Sequence, residues 1–119
     1  MWWVAIQTKP IVGSAANNSI LGMRGDDTLL GGDGNDTMNG QGDADIMTGG
    51  NGDDSMFGGA GVDRLTAGAG ADTLNGGSGN DFAYGGSDGD IINGVAGSDD
   101  LYGGAGYEGS IPAECRIGR

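Results

Sequence analysis

The sequence predicts an all-β fold, a parallel solenoid built from one short unit repeated about ten times. Three observations predict it. A nine-residue period runs without insertion or deletion over residues 13–102, with one of its columns apolar throughout and another almost entirely aspartate. Glycine supplies 29 of the 119 residues, against the ~7% usual in globular proteins. No 3.6-residue apolar pattern occurs anywhere, so helices are excluded, and the length allows one small domain only.

The units begin at Gly13, Gly22, Gly31, Gly40, Gly49, Gly58, Ala67, Gly76, Gly85 and Gly94, with a degraded eleventh at Gly103. The clearest read GGDGNDTMN from Gly31, GGNGDDSMF from Gly49 and GGAGVDRLT from Gly58. Position eight is Ile20, Leu29, Met38, Met47, Met56, Leu65, Leu74, Ala83, Ile92 and Leu101. Positions seven and nine are mixed, as in Thr28, Thr37 and Arg64 beside Asn39, Thr48 and Asn75. The last three residues of a unit therefore alternate out, in, out, which is the period of a strand. Positions one, two and four are mostly Gly, so the first six residues are expected to form a turn that visits positive φ.

A three-residue strand cannot stand alone, so the units must stack in parallel and share a ladder of position-eight side chains. Each turn reverses the chain, so two units complete a coil of 18 residues and unit n lies on unit n+2, ~4.8 Å away. One sheet then carries Ile20, Met38, Met56, Leu74 and Ile92, and the other Leu29, Met47, Leu65, Ala83 and Leu101. Residues 1–12 are expected to cap the first coil, with Trp2 and Trp3 covering it. Residues 103–119 hold the degraded unit and a tail in which Cys115 is a free thiol, and Tyr102 and Tyr107 are expected to cover the other end.

Position six is the informative column: Asn18, Asp27, Asp36, Asp45, Asp54, Asp63, Asp72, Asp81, Asp90 and Asp99, then Glu108. Nine of the 15 aspartates fall there, within a net charge of −12 that makes a nucleic-acid surface unsuitable. His is absent and Cys115 is alone, so an internal disulfide and zinc, haem or iron–sulfur centres lack ligands. No apolar run approaches the ~18 residues of a membrane span, and the opening lacks the charged start of a signal peptide. A soluble chain is expected, its export route unexplained.

Ten buried side chains offset little of the entropy lost in ordering a glycine-rich array, and stacking lines up nine carboxylates that repel. The metal-free chain is expected to be disordered. A cation between stacked carboxylates reverses the balance. Ca²⁺ suits the setting, because it takes six or more oxygens in flexible geometry and a Gly-rich turn can aim carbonyls inward; Mg²⁺ demands strict octahedra and keeps its waters. Seven pairs have the right spacing: Asp27 with Asp45, Asp36 with Asp54, Asp45 with Asp63, Asp54 with Asp72, Asp63 with Asp81, Asp72 with Asp90, and Asp81 with Asp99. At millimolar calcium and a Kd of ~0.1 mM, mass action contributes ~1.4 kcal/mol per site. The lack of a Glu twelve residues from any Asp-rich loop start excludes an EF-hand.

The units match the signature Gly-Gly-x-Gly-x-Asp-x-apolar-x, and residues 13–102 resemble the RTX (repeat-in-toxin) haemolysin-type calcium-binding repeats. The resemblance implies a right-handed parallel β-roll with about five to seven Ca²⁺ ions in its turns. It also implies ligand sets, each pairing carbonyls of positions two and four plus the Asp of one unit with carbonyls of positions one and three plus the Asp two units on. One set is Gly32, Gly34 and Asp36 with Gly49, Asn51 and Asp54; the next in that row is Gly50, Gly52 and Asp54 with Ala67, Ala69 and Asp72. A third is Gly68, Gly70 and Asp72 with Gly85, Ser87 and Asp90. The other row has Gly59, Gly61 and Asp63 with Gly76, Ser78 and Asp81, then Gly77, Gly79 and Asp81 with Gly94, Ala96 and Asp99. Met23, Arg24, Gln41, Asp43, Asp88 and Val95 depart from the pattern, and Asn18 and Glu108 make weak end sites.

The resemblance further implies a secreted, extracellular protein that leaves by type I secretion and folds on meeting calcium. The usual export signal is not recognisable in IPAECRIGR, so a fragment of a parent protein is expected. The leading reading is a calcium-dependent folding and stability module. The outward row Ser19, Thr37, Ser55 and Thr73, broken by Ile91, offers an adhesive or ice-binding face as an alternative. A third reading is the tail of a secreted hydrolase. With no His and no GxSxG the chain itself is expected not to be an enzyme.

Overall fold

The computed structural model describes residues 2–4, 10–105 and 116–118. The strands are β1 (Trp2–Val4), β2 (Ile11–Val12), β3 (Ser19–Met23), β4 (Thr28–Asp33), β5 (Thr37–Gly42), β6 (Ile46–Asn51) and β7 (Ser55–Ala60), then β8 (Arg64–Ala69), β9 (Thr73–Ser78), β10 (Phe82–Ser87), β11 (Ile91–Ala96), β12 (Asp100–Ala105) and β13 (Arg116–Gly118). They form two parallel sheets, ordered β1-β3-β5-β7-β9-β11 and β13-β12-β10-β8-β6-β4-β2. Each strand pairs with the strand two along the chain, because a turn carries the chain across to the opposite sheet. No helix occurs among the described residues.

Between β2 and β12 every register is 18 residues, as in Met38 opposite Met56 and Leu65 opposite Ala83. The expected coil and the expected sorting of position eight into two rows are therefore present. All ten side chains are buried, at 0 or 1% exposure. Ile11 precedes Leu29 in the second row and is buried with it, so the apolar ladder is one rung longer than the Gly-led units indicated. The terminal strands depart from the coil length: Trp3 stands opposite Ile20 and Ile117 opposite Leu101.

The expected three-residue strand requires correction. Most strands have six residues, the last three of one unit and the first three of the next. In β4 and β6, for example, Thr28, Leu29 and Leu30 pair with Ile46, Met47 and Thr48, and after a gap at position one Gly32 and Asp33 pair with Gly50 and Asn51. The glycine at position two does take positive φ, 115° at Gly50, but there it bends a strand and does not end it. Only positions four to six form the turn.

Alternation carries on through this bend, so positions six, eight and one all face inward. The core is a thin slab with an apolar ladder along each sheet and an acidic ladder along each side; the molecule measures 34 × 26 × 14 Å. On the outer face of the second sheet the Arg64 guanidinium lies 4.7 Å from the Phe82 ring centroid, and Phe82 lies 5.2 Å from the Tyr102 ring. On the first sheet Ser19, Thr37, Ser55 and Thr73 stand in register and exposed, with Ile91 next in line. The side-chain roles expected of Trp2, Trp3, Tyr107, Glu108 and Cys115 fall outside the described residues.

Candidate metal centre

Every position-six side chain from Asn18 to Asp99 is buried, with exposure between 0 and 3%. The geometry repeats because the backbone of each Asp is held by the coil above. The Asp36 amide donates to Asp54 Oδ1 at 2.8 Å, and the Asp36 carbonyl accepts from the Ser55 amide at 2.8 Å. The same amide-to-carboxylate bond joins Asp27 to Asp45, Asp45 to Asp63, Asp54 to Asp72, Asp63 to Asp81, Asp72 to Asp90 and Asp81 to Asp99, all within 2.7–2.9 Å. Carboxylates expected to stack at 18-residue spacing do so in two continuous rows.

From Asp36 to Asp90 one oxygen of each is then used and the other is not. Oδ2 of Asp27, Asp36, Asp45, Asp54, Asp63, Asp72, Asp81 and Asp90 is buried and has no hydrogen-bond partner, and Asp27 Oδ1 is in the same state. Buried acceptors without partners cost about 1–3 kcal/mol each, more when charged, so eight in two lines call for an electrophile. Burial raises the pKa of these groups; the amide bond pulls it down and the neighbouring carboxylates push it up again. Asp45, Asp54, Asp72 and Asp81 rise to about 6 and Asp63 to about 7, while burial also raises Asp27 and Asp90.

The glycine at position one shows what lies in front of each spare oxygen. A Cβ placed on Gly58 would meet Asp63 Oδ2 at 2.6 Å and the Gly76 carbonyl at 2.6 Å. One on Gly49 would meet Asp54 Oδ2 and, at 2.8 Å, the Ala67 carbonyl; one on Gly31 would meet Asp36 Oδ2 and, at 2.7 Å, the Gly49 carbonyl. Each of these three oxygen pairs belongs to one expected ligand set. The missing methyl leaves a carboxylate and a carbonyl facing one space, the donor chemistry of a hard cation. Among the described residues no three carboxylate or thiol side chains converge.

The expected carbonyls of positions two and four point along the stack. Gly32, Gly34, Gly50, Gly52, Gly59 and Gly61 oxygens face the α-carbons of Gly50, Gly52, Gly68, Gly70, Gly77 and Gly79; Gly68 and Gly79 oxygens face Gly86 and Gly97. Position three differs. The Ala69, Ser78 and Ala96 carbonyls already accept from the amides of Gly52, Gly61 and Gly79 at 2.9–3.1 Å, leaving one lone pair each. Asn51 donates its side-chain amide to Asp33 Oδ1 at 3.0 Å, and Ser87 its hydroxyl to Asp88. Gly85 and Gly94 occupy the buried position one of their units.

Of the side chains at positions two and four, Met23, Gln41, Asp43, Asp88 and Val95 keep positive φ of 73–80°, while Ser14 and Ala16 do not. The coil tolerates them without a break. A feature missed in the sequence is a second ladder at position five, on the outside of the turns. Asn17 Oδ1 accepts from the Asn35 amide at 2.8 Å, Asn35 Oδ1 from Asp53 at 2.9 Å, and Asp53 Oδ1 from Ala71 at 2.9 Å. Asp26 and Asn80 do the same for Ala44 and Ser98. The Asx doublets at 17–18, 26–27, 35–36, 53–54 and 80–81 were the available signal.

No helix among the described residues is long and apolar enough to cross a membrane. No curated protein and no solved structure matches the chain. The family model of the RTX calcium-binding nonapeptide repeat matches residues 12–47, 48–83 and 84–106, and its first two matches each span 36 residues, which is two coils of this solenoid. Since that repeat covers most of the chain and sets the spacing of both carboxylate rows, the protein belongs to the RTX calcium-binding nonapeptide repeat family.

Proposed function

We propose that this chain is a calcium-dependent folding and stability module of a secreted RTX-type protein, with the chemical activity of that protein located in other sequence. The observation that carries the reading is the double row of buried Oδ2 atoms without partners. When bound, calcium supplies positive charge between stacked carboxylates whose mutual repulsion otherwise opposes the fold. The chain's own part is positional. From Asp36 to Asp90 each Asp is locked by the amide of the coil below it, and the bare α-carbon of position one leaves room beside its second oxygen.

The proposed ligands are the five sets given above, together with the rungs that Asp45 forms with Asp27 and with Asp63, for about five to seven ions. The described part of the chain consists of repeat units and edge strands, which supports a binding module that is not itself an enzyme. Extracellular calcium near millimolar concentration matches weak sites that act together, so secretion and folding would be coupled. Export by type I machinery belongs to the same proposal.

Circular dichroism during a calcium titration tests it. The expected result is a featureless chain in chelator that gains β structure cooperatively below 10 mM calcium. A β spectrum in chelator at neutral pH that calcium leaves unchanged would refute the proposal.

A further inference from the structure

The two carboxylate rows start differently. One row starts at Asn18 and continues through Asp36, Asp54, Asp72 and Asp90; the other starts at Asp27. Asp27 is 1% exposed and neither of its carboxylate oxygens has a partner. Asn18 is 3% exposed, and both ends of its amide are engaged. Its Oδ1 accepts from the Ser14 amide at 2.7 Å, and its Nδ2 donates to Ser14 Oγ at 3.1 Å.

Ser14 is free to do this because β2 stops pairing at Val12, so its amide is not part of the sheet ladder. Asn18 Oδ1 stands where the spare Oδ2 stands elsewhere: a Cβ on Gly13 would meet it together with the Gly31 carbonyl, as one on Gly31 would meet Asp36 Oδ2 and the Gly49 carbonyl. The remaining oxygens of the rung are in place too. The Ser14 carbonyl lies 2.9 Å from a Cβ on Gly32, and the Ala16 carbonyl 2.7 Å from one on Gly34; both face along the stack, standing farther off than the carbonyls of positions two and four higher up.

We infer that Asn18, held by Ser14, is a specificity-determining residue that closes the first rung of its row to calcium, so that this row takes ions only from Asp36 upward while the other takes them from Asp27. The inference rests on the calcium reading above. A neutral amide removes the anionic charge that makes the rung attractive, and its Oδ1, which stands in the cation-facing place, already accepts from the Ser14 amide. The rung otherwise has its main-chain oxygens. One substitution should therefore open it.

Two measurements test the inference. In crystals of the calcium-loaded wild-type chain, anomalous density is expected between Asp36 and Asp54 and none between Asn18 and Asp36. Native mass spectrometry of Asn18→Asp at saturating calcium should show one ion more than wild type. Density at Asn18, or an equal ion count in a folded Asn18→Asp chain, overturns the inference while leaving the calcium reading intact. If the Asp variant does not fold, the anomalous map decides alone. A calcium-treated wild-type chain with no ion at any rung overturns both.

Discussion

The amide of Asp54 donates to Asp72 Oδ1 at 2.7 Å, and Asp72 Oδ2, equally buried, has no partner at all. One carboxylate thus serves as both a structural link to the coil below and an unmet charge. Its two oxygens pull the metal-free fold in opposite directions.

The first prediction concerns pH. Asp45, Asp54, Asp72 and Asp81 have folded-state pKa values near 6 and Asp63 near 7, above the ~3.9 of an unfolded aspartate. The folded chain therefore binds protons more tightly than the unfolded chain. Without metal, this contribution is fully present below about pH 4 and is lost as pH rises through about 6 to 7. Circular dichroism in chelator should show more β structure at pH 5 than at pH 7.5. Protons compete with calcium for the same oxygens, so the calcium midpoint should be roughly tenfold higher at pH 5.5 than at pH 7.5.

Replacing Asp63 with Asn should move two observables in opposite directions. Asn Oδ1 can still accept from the Asp45 amide, while the repulsion from Asp45 and Asp81 disappears. The β content in chelator at pH 7, read by circular dichroism beside the wild-type chain, should rise, the folded state being favoured by about 1 kcal/mol. The calcium count in native mass spectrometry should fall by two, because Asp63 is shared between two rungs. A fall in both would show that the carboxylate charge already helps the metal-free chain.

Val95 has φ of 75° and is 43% exposed, in a column where glycines run from 79° to 117°. A β-branched residue there carries strain of roughly 1–2 kcal/mol, and Val95→Gly should relieve about 1 kcal/mol of it after the entropic cost of glycine. The calcium-loaded variant should melt a few degrees higher in calorimetry. Unchanged or lower melting would place the Val95 side chain among the stabilising contacts.

Leu74 is fully buried between Met56 and Ile92 in the first ladder. Leu74→Ala should cost about 2–5 kcal/mol. If folding and binding are one process, that loss spreads over about seven sites and should raise the calcium midpoint about twofold without lowering the ion count at saturation. A changed midpoint without a cooperative transition would separate folding from binding.

Position eight was legible because ten successive residues share one property, and a period of nine sorts them into two rows without help from tertiary structure. Position six was legible for the same reason. Strand length was not. Gly50 reads as a turn residue, yet it sits inside β6, since a positive φ bends a parallel ladder that neighbouring coils keep in register. The external Asx ladder was obscured because Ala44, Val62 and Ala71 interrupt it, and a bond between coils leaves no local trace. The Ser14 to Asn18 contact required knowing where β2 ends.

The uniform offset of 18 between paired residues from β2 to β12 gives the molecule an arithmetic of parity. Excising one full coil joins like to like, and each later strand lands on the neighbour it would have had one storey lower. Excising a single nine-residue unit transposes everything downstream to the opposite wall. Lineages of this architecture can therefore lengthen or shorten in double units with little disturbance, whereas odd changes must rebuild one end.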